Sequence, residues 1–234
     1  LNLISDCGTE LWTDIPQQAE VTHKESLNIG ENRLTFSISD IETRDPISNA
    51  IVTLVRDLSI VRMSETDDNG DVLFTFEPGE LIEGEYMLSA SKHDMIPYLG
   101  EISVIDSEKH IGLSSFHIDD DRAGMSNGNG NNQANPGETL ELRTYIRNFG
   151  GTEVEGATIV VLQSNSGDVE IVENVIQLES APAVGDSTIV TFIVEVGHNN
   201  NDLDRLAFLL TVSNGDDSWE SSIAFNAATP NLEY

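Results

Sequence analysis

Short runs in which polar and apolar residues alternate dominate this sequence, and the periodicity of an amphipathic helix is almost absent. Residues 33–39 read Arg-Leu-Thr-Phe-Ser-Ile-Ser, and residues 138–146 alternate in the same way. A period of two places every second side chain on one face of an extended strand. The pattern therefore predicts an all-β fold built from half-buried strands.

Further alternating or β-branched runs recur along the whole chain. Asn69-Gly70 and Asn214-Gly215 supply the positive φ angles of tight hairpin turns, and residues 50–55 and 71–76 look like a pair of core strands. Short strands that follow one another closely and are separated by turns are typical of antiparallel sandwiches. We therefore predict two tandem Ig-like antiparallel β-sandwiches, 1–116 and 117–234. The other predicted strands are 85–90, 100–105, 157–162, 169–178, 187–196, 206–212 and 218–225.

The charge balance excludes several classes of partner. The chain has 41 Asp and Glu against 11 Lys and Arg, a net charge of −30, yet 38% of its residues are hydrophobic, as in a globular protein. Nucleic acids and anionic membranes attract basic surfaces, so we expect neither as a partner. No run approaches the roughly 20 apolar residues of a membrane helix, so we expect no membrane insertion. Because the first residue is Leu, we also expect an excised piece of a longer protein.

Residues 119–138 form the one low-complexity stretch, rich in Asp, Asn and Gly. Ca²⁺ takes six to eight oxygen ligands, commonly alternating Asp and Asn with a closing Glu, and glycines permit the sharp bends. The spacing is not that of an EF-hand. Two interpretations stay open, a solvated flexible linker and a loop that Ca²⁺ orders at the entry to the second sandwich. The candidate ligands are Asp119, Asp121, Asn127, Asn129, Asn131 and Glu138.

No catalytic constellation is recognisable. Cys7 is the only thiol, so there is no intrachain disulfide, and it lacks the local signature of a nucleophile. The histidines are scattered without zinc-ligand spacing, and no nucleophile elbow or phosphate-binding glycine loop occurs. Trp12 with Tyr98 or Tyr86 offers an aromatic platform for carbohydrate, although a core Trp is the commoner outcome in a sandwich. We therefore predict no catalytic residue and no organic cofactor site.

Several motifs resemble the region that follows the catalytic domain in gingipain-type cysteine peptidases (clan CD, family C25). The resemblance covers roughly residues 10–226, and in the first half it is shared with carboxypeptidase-regulatory-like repeats. The motifs are Glu-Leu-Trp-Thr-Asp-Ile-Pro at 10–16, Val-Thr-His at 21–23, and the stretches 46–54, 66–72, 84–86, 96–100, 119–121, 135–138 and 147–150.

The resemblance implies a non-catalytic accessory region of a secreted or surface bacterial peptidase, whose catalytic His and Cys lie upstream of Leu1. Its role would be that of a stalk, spacer or binding module, to which the oxygen-rich loop at 119–138 would add a structural calcium site. The expected partners are the upstream catalytic domain and a surface glycan or a host or environmental protein. The alternative is an adhesin or carbohydrate-binding module of an extracellular protein that is not a peptidase.

Overall fold

The computed structural model describes residues 15–166 and 168–229. Within these ranges every regular element is a β-strand, which confirms the all-β prediction, and no helix there could span a membrane. The strands of this part are β1 (Ala19–His23), β2 (Ser26–Asn28), β3 (Arg33–Asp40), β4 (Ile51–Arg56), β5 (Ser59–Glu65), β6 (Asp71–Thr75), β7 (Gly84–Ser91), β8 (Tyr98–Ile105), β9 (Ile111–Asp119), β10 (Thr139–Asn148), β11 (Thr158–Ser164), β12 (Val169–Ile171), β13 (Val175–Leu178), β14 (Ser187–Val196), β15 (Arg205–Asn214) and β16 (Asp217–Asn226).

The chain forms two compact units. Of the described residues, the first holds 15–27 together with Leu34–Phe74 and Gly84–Val104. The second holds Asn28–Arg33, Thr75–Glu83 and the described residues from Ile105 to Thr229. Strand β9 belongs to the second unit and runs through the predicted boundary between residues 116 and 117.

The first unit contains two sheets, with strand orders β1-β3-β6 and β2-β8-β7-β4-β5. Strand β3 alternates as its sequence predicts, and Leu34, Phe36 and Ile38 are almost completely buried. The rings of Phe36 and Phe74 meet edge to face, with their centroids 5.2 Å apart. Burial of each such side chain contributes about 1.5–3 kcal/mol, so the apolar stripe of β3 fixes the register of its sheet.

The second unit is a β-sandwich. Its two sheets have the orders β12-β14-β10-β9 and β13-β11-β15-β16, and every neighbouring pair is antiparallel. Buried side chains from both sheets, among them Phe192 on β14 and Phe208 on β15, belong to a single hydrophobic cluster. The predicted sandwich architecture is therefore confirmed.

Residues 169–178, predicted as one strand, form two strands in different sheets. β12 pairs with β14, whereas β13 pairs with β11. Between them the N–H of Val172 donates to the carbonyl of Ile193 at 3.0 Å, and the carbonyl of Asn174 accepts from the N–H of Leu162 at 2.9 Å. The chain changes sheets at this point, and alternation alone carries no signal for such a crossing.

The two Asn-Gly turns have different roles. Asn214-Gly215 joins β15 to β16 in an antiparallel hairpin, as predicted. Asn69-Gly70 follows β5 and precedes β6, and these strands lie in different sheets. The hairpin predicted at Asn69-Gly70 is therefore wrong, although β4 and β6 both carry buried side chains, as expected of core strands. Strand β5 escaped prediction since its exposed, mixed composition shows no buried face.

Gly70 is needed for a close backbone approach as well as for its φ of +77°, because a Cβ there would lie 2.3 Å from the Ile38 carbonyl oxygen. Gly79 has nearly the same φ, +81°, but nothing lies within 4 Å of its Cβ position. We expect Gly79→Ala to cost about 1 kcal/mol of unfolding free energy and Gly70→Ala at least about 2 kcal/mol in urea titrations. Equal losses would show that the close approach is unimportant.

Candidate functional site

The carboxylate of Asp120 is the centre of the loop that connects β9 to β10. Its side chain is completely buried. Its Oδ2 accepts hydrogen bonds from the backbone N–H groups of Asn129 at 3.2 Å, Gly130 at 3.0 Å and Asn131 at 3.3 Å, and its Oδ1 accepts one from Asn132 at 2.9 Å. Residues 129–132 therefore wrap around one carboxylate.

These donors decide the ionisation of Asp120. Burial by itself would raise the pKa, because a low dielectric disfavours the charged form. The N–H groups of residues 129–132 favour the charged form more strongly, so the pKa of Asp120 lies below its ordinary value. Asp120 is therefore a buried anion in a nest of backbone dipoles.

Gly128 permits the close packing of the loop onto Asp120. A Cβ at position 128 would lie 2.5 Å from the Cβ of Asp120, which no side chain tolerates without movement. The Nε–H of Arg122 donates to the Gly128 carbonyl at 2.6 Å and holds this segment in place. The glycine here is a steric requirement and not a flexible hinge.

Asn135 joins three of the predicted ligands. Its Oδ1 accepts hydrogen bonds from the side-chain amides of Asn129 at 2.7 Å and Asn131 at 3.1 Å. Its backbone N–H donates to Oε2 of Glu138 at 3.2 Å, and its own amide group donates to the carbonyl of Ala228. Asn129, Asn131 and Glu138 are thus brought together by one buried residue, through its side chain and its backbone N–H.

Glu138 lies in an unfavourable electrostatic position. Burial raises its pKa most strongly, and the negative charge of Asp120 raises it further, although the N–H of Asn135 acts in the opposite direction. Two carboxylates in one partly desolvated region repel each other unless a proton or a cation intervenes.

A second cluster of acidic side chains lies on the side of strands β9 and β10 that is turned away from the core. Arg143 bridges Oδ2 of Asp119 at 2.6 Å and Oε2 of Glu141 at 2.9 Å. The N–H of Met125, and then Arg143, lower the pKa of Glu141. The other oxygen of Asp119 accepts from the N–H of Asp121 at 3.2 Å. The charge of Asp119 is therefore already compensated by an arginine.

The structure thus divides the predicted ligands between two faces. Asn129, Asn131 and Glu138 meet near Asp120, whereas Asp119 and Asp121 lie with Arg143. Asn127 pairs through its backbone with Thr139, and the residue is exposed. The six-residue calcium site stays a prediction.

Sequence reasoning missed Asp120, although the alternation contained the signal. Phe116 and Ile118 on β9 pack against the core of the second unit. Continuing that period of two places Asp120 on the core side, and Asp119 and Asp121 on the outer side. The predicted ligands Asp119 and Asp121 are therefore on the outer side of the sheet, one position before and one after the buried Asp120.

Within residues 15–166 and 168–229, no three Asp, Glu, His or Cys side chains are grouped so that they alone could hold a metal ion. Ca²⁺ accepts a mixture of carboxylate, amide and backbone oxygens, whereas structural Zn²⁺ sites are built mainly from Cys sulfur and His nitrogen.

The aromatic side chains predicted to form a carbohydrate platform are not all exposed. Tyr86 is buried, with 2% exposure, so it cannot contribute to an exposed platform. Trp219 packs, partly buried, against the core of the second unit. Trp12 and Cys7 lie outside the described residues.

No protein-family model and no curated protein sequence matches this chain significantly. Among solved structures, the complex of the Porphyromonas gingivalis RgpB pro- and mature domains has 16% identity and a TM-score of 0.33, over 38% of this chain and 19% of that one. Escherichia coli α-2-macroglobulin has 13% identity and a TM-score of 0.37, over 93% and 17%. The BSP domain of a biofilm-associated protein has 10% identity and a TM-score of 0.32, over 93% and 31%.

This chain spans less than a third of each of those solved chains. The similarity to the gingipain covers a minority of this chain and is weak in both identity and geometry. At these values the comparisons carry no argument about function.

Asp120→Asn retains the shape of the side chain but turns one acceptor oxygen into a donor that faces backbone N–H groups. We expect a loss of at least about 2 kcal/mol in unfolding free energy at neutral pH, because buried donors lose their charged partner. Asp216→Asn, at the exposed β15–β16 turn, is the matched control and should change stability little. Similar small effects for both variants, measured by urea unfolding, would contradict the central role of Asp120.

The same carboxylate should contribute to acid unfolding. Because folding lowers its pKa below the unfolded value of about 3.9, its stabilisation is complete above that value and is lost as the pH falls through the folded-state pKa. We expect the unfolding free energy of the wild type to fall more steeply in this acidic range than that of Asp120→Asn. Parallel pH profiles for the two proteins would contradict the assignment.

Proposed function

We propose that this chain is a non-catalytic accessory region of a secreted bacterial cysteine peptidase of the gingipain type, and that it serves as a spacer or binding module. The observation that carries this proposal is the loop between β9 and β10. Although rich in Asp, Asn and Gly, it is held by hydrogen bonds to a buried carboxylate. Such a loop suits a module whose task is to keep a fixed shape outside the cell.

We further propose that Ca²⁺ binds beside Asp120 and Glu138. The support is electrostatic, because burial and the nearby charge of Asp120 both raise the pKa of Glu138. A divalent cation would relieve this repulsion. The backbones of Asn129 and Asn131 contact Asp120, and their side-chain oxygens, which each accept one N–H within the loop, are neutral ligands of the kind that Ca²⁺ accepts.

Solvent reaches Glu138 through an open groove. The groove is also lined by Asp168, Glu195 and His198. A cation could therefore approach Glu138 without opening the core of the sandwich, and the acidic lining would attract it. Bound Ca²⁺ would neutralise charge at the base of β10 and stabilise the loop.

Glu138→Gln tests the electrostatic repulsion at this carboxylate and the binding of Ca²⁺ separately. Because folding raises the pKa of Glu138 above the unfolded value of about 4.3, the folded state loses stability as the pH rises through that range. With chelator at neutral pH, we expect Glu138→Gln to melt at a higher temperature than the wild type. With excess Ca²⁺, the wild type should gain more than the variant.

The size of the calcium effect follows from mass action. Ligand at a hundredfold excess over Kd stabilises the folded state by about 2.7 kcal/mol. Glu173→Gln, an exposed acid between β12 and β13, is the control and should retain the full calcium response. A wild-type melting temperature that is the same in Ca²⁺ and in chelator would contradict the calcium site.

Sequencing the gene upstream of the codon for Leu1 tests the accessory role. We expect the reading frame upstream of Leu1 to encode an α/β catalytic domain with a His–Cys dyad. A frame that encodes further β-repeats would instead support the alternative of an adhesin or surface fibre. The calcium experiment is independent of this outcome.

A further inference from the structure

One sheet of the first unit has an exposed apolar outer face. Val55 on β4 lies between Ile60 on β5 and Met87 on β7. In the next row, Met63 on β5 lies opposite Thr53 on β4. The opposite sides of these strands carry buried side chains and form the core, so these residues share the other side of the sheet. We call this the outer face; its apolar members are Ile51, Val55, Ile60, Met63, Met87 and Leu99.

The exposure of this face is large. Ile60 is 64% exposed, Met63 61%, Met87 58% and Leu99 73%. Single exposed apolar residues are ordinary, but neighbours on adjacent strands that form one patch mark interaction surfaces. Methionine is favoured on such surfaces because its flexible side chain adapts to a partner.

The charges on the outer face all have one sign. Glu101 lies opposite Met87, Glu65 lies opposite Ile51, and Glu85 lies on the same side of β7. The two basic residues of β4, β5, β7 and β8 are Arg56 and Arg62, and both lie on the opposite side of the sheet. Arg56 lies over the ring of the buried Tyr86, and Arg62 lies opposite the buried Leu54. The outer face is therefore an apolar patch with an acidic rim.

We propose that the outer face is a docking surface for a partner protein that presents apolar side chains flanked by Lys or Arg. An acidic rim attracts such a partner and sets its orientation. A second copy of this chain fits poorly, because each copy carries a net charge of −30. The surface lies within the first unit and does not depend on the calcium loop.

The test uses the full chain and a fluorescent peptide of alternating Lys and Val, long enough to lie along one strand. Binding is measured by anisotropy at low and high salt. The decisive variant is Met63→Glu/Met87→Glu, which removes apolar surface and adds negative charge. Simple charge attraction predicts tighter binding by this variant, whereas docking on the outer face predicts a loss of at least about tenfold in affinity.

Leu73→Glu is the matched control, because Leu73 is an exposed apolar residue on β6, in the other sheet of the same unit. It should bind the peptide at least as well as the wild type. Glu101→Gln should weaken binding at low salt and have less effect at high salt. Equal affinities of the double variant and Leu73→Glu, or no binding by the wild type, would overturn the proposal.

Two further measurements guard against misfolding and self-association. Amide chemical shifts of the wild type, titrated with the same peptide, should change on β4, β5 and β7, and this result needs no variant. Changes confined to other strands would overturn the proposal. Sedimentation should show a monomer, and a dimer that Met63→Glu/Met87→Glu dissociates would assign the face to a second copy instead.

Discussion

A buried carboxylate that is satisfied by backbone N–H groups is the interaction on which the loop between the strands of the second unit depends. Burying a charge is costly unless hydrogen bonds compensate for it, and ordering a glycine-rich segment is costly in conformational entropy. The loop has little apolar surface with which to offset either cost. Asp120 offsets both costs. The N–H groups of residues 129–132 stabilise its buried charge, and the same four hydrogen bonds stabilise the ordered loop.

The sequence was sufficient for the fold class and for most strands, because alternation records which face of a strand is buried. It failed where two registers competed. Oxygen-bearing residues at 119 and 121 suggested one ligand face, whereas Phe116 and Ile118 had already assigned the core side to Asp120. It also failed at β5, whose residues are mostly exposed, and at 172–174, where the chain changes sheets without a Gly or Pro to indicate it.

The acidity of the chain has different physical meanings in different places. At Asp119 and Glu141 two carboxylates share the single positive charge of Arg143, and at Asp120 backbone N–H dipoles stabilise the anion. At Glu138 the N–H of Asn135 compensates for the negative charge only in part, and the pKa stays raised, which is why a cation is proposed there. On the outer face of the first unit, carboxylates surround exposed apolar side chains. Net charge alone therefore indicates solubility, and only the placement of each carboxylate indicates a site.

The connection between β9 and β10 also has a kinetic consequence. These strands are antiparallel neighbours, and closing a loop becomes costlier only slowly with its length, so the two strands can pair before the loop is ordered. The four N–H groups can converge on Asp120 only once both strand ends are in place. We therefore expect the loop to form on the native side of the folding barrier. Its contacts would therefore slow unfolding more than they speed folding.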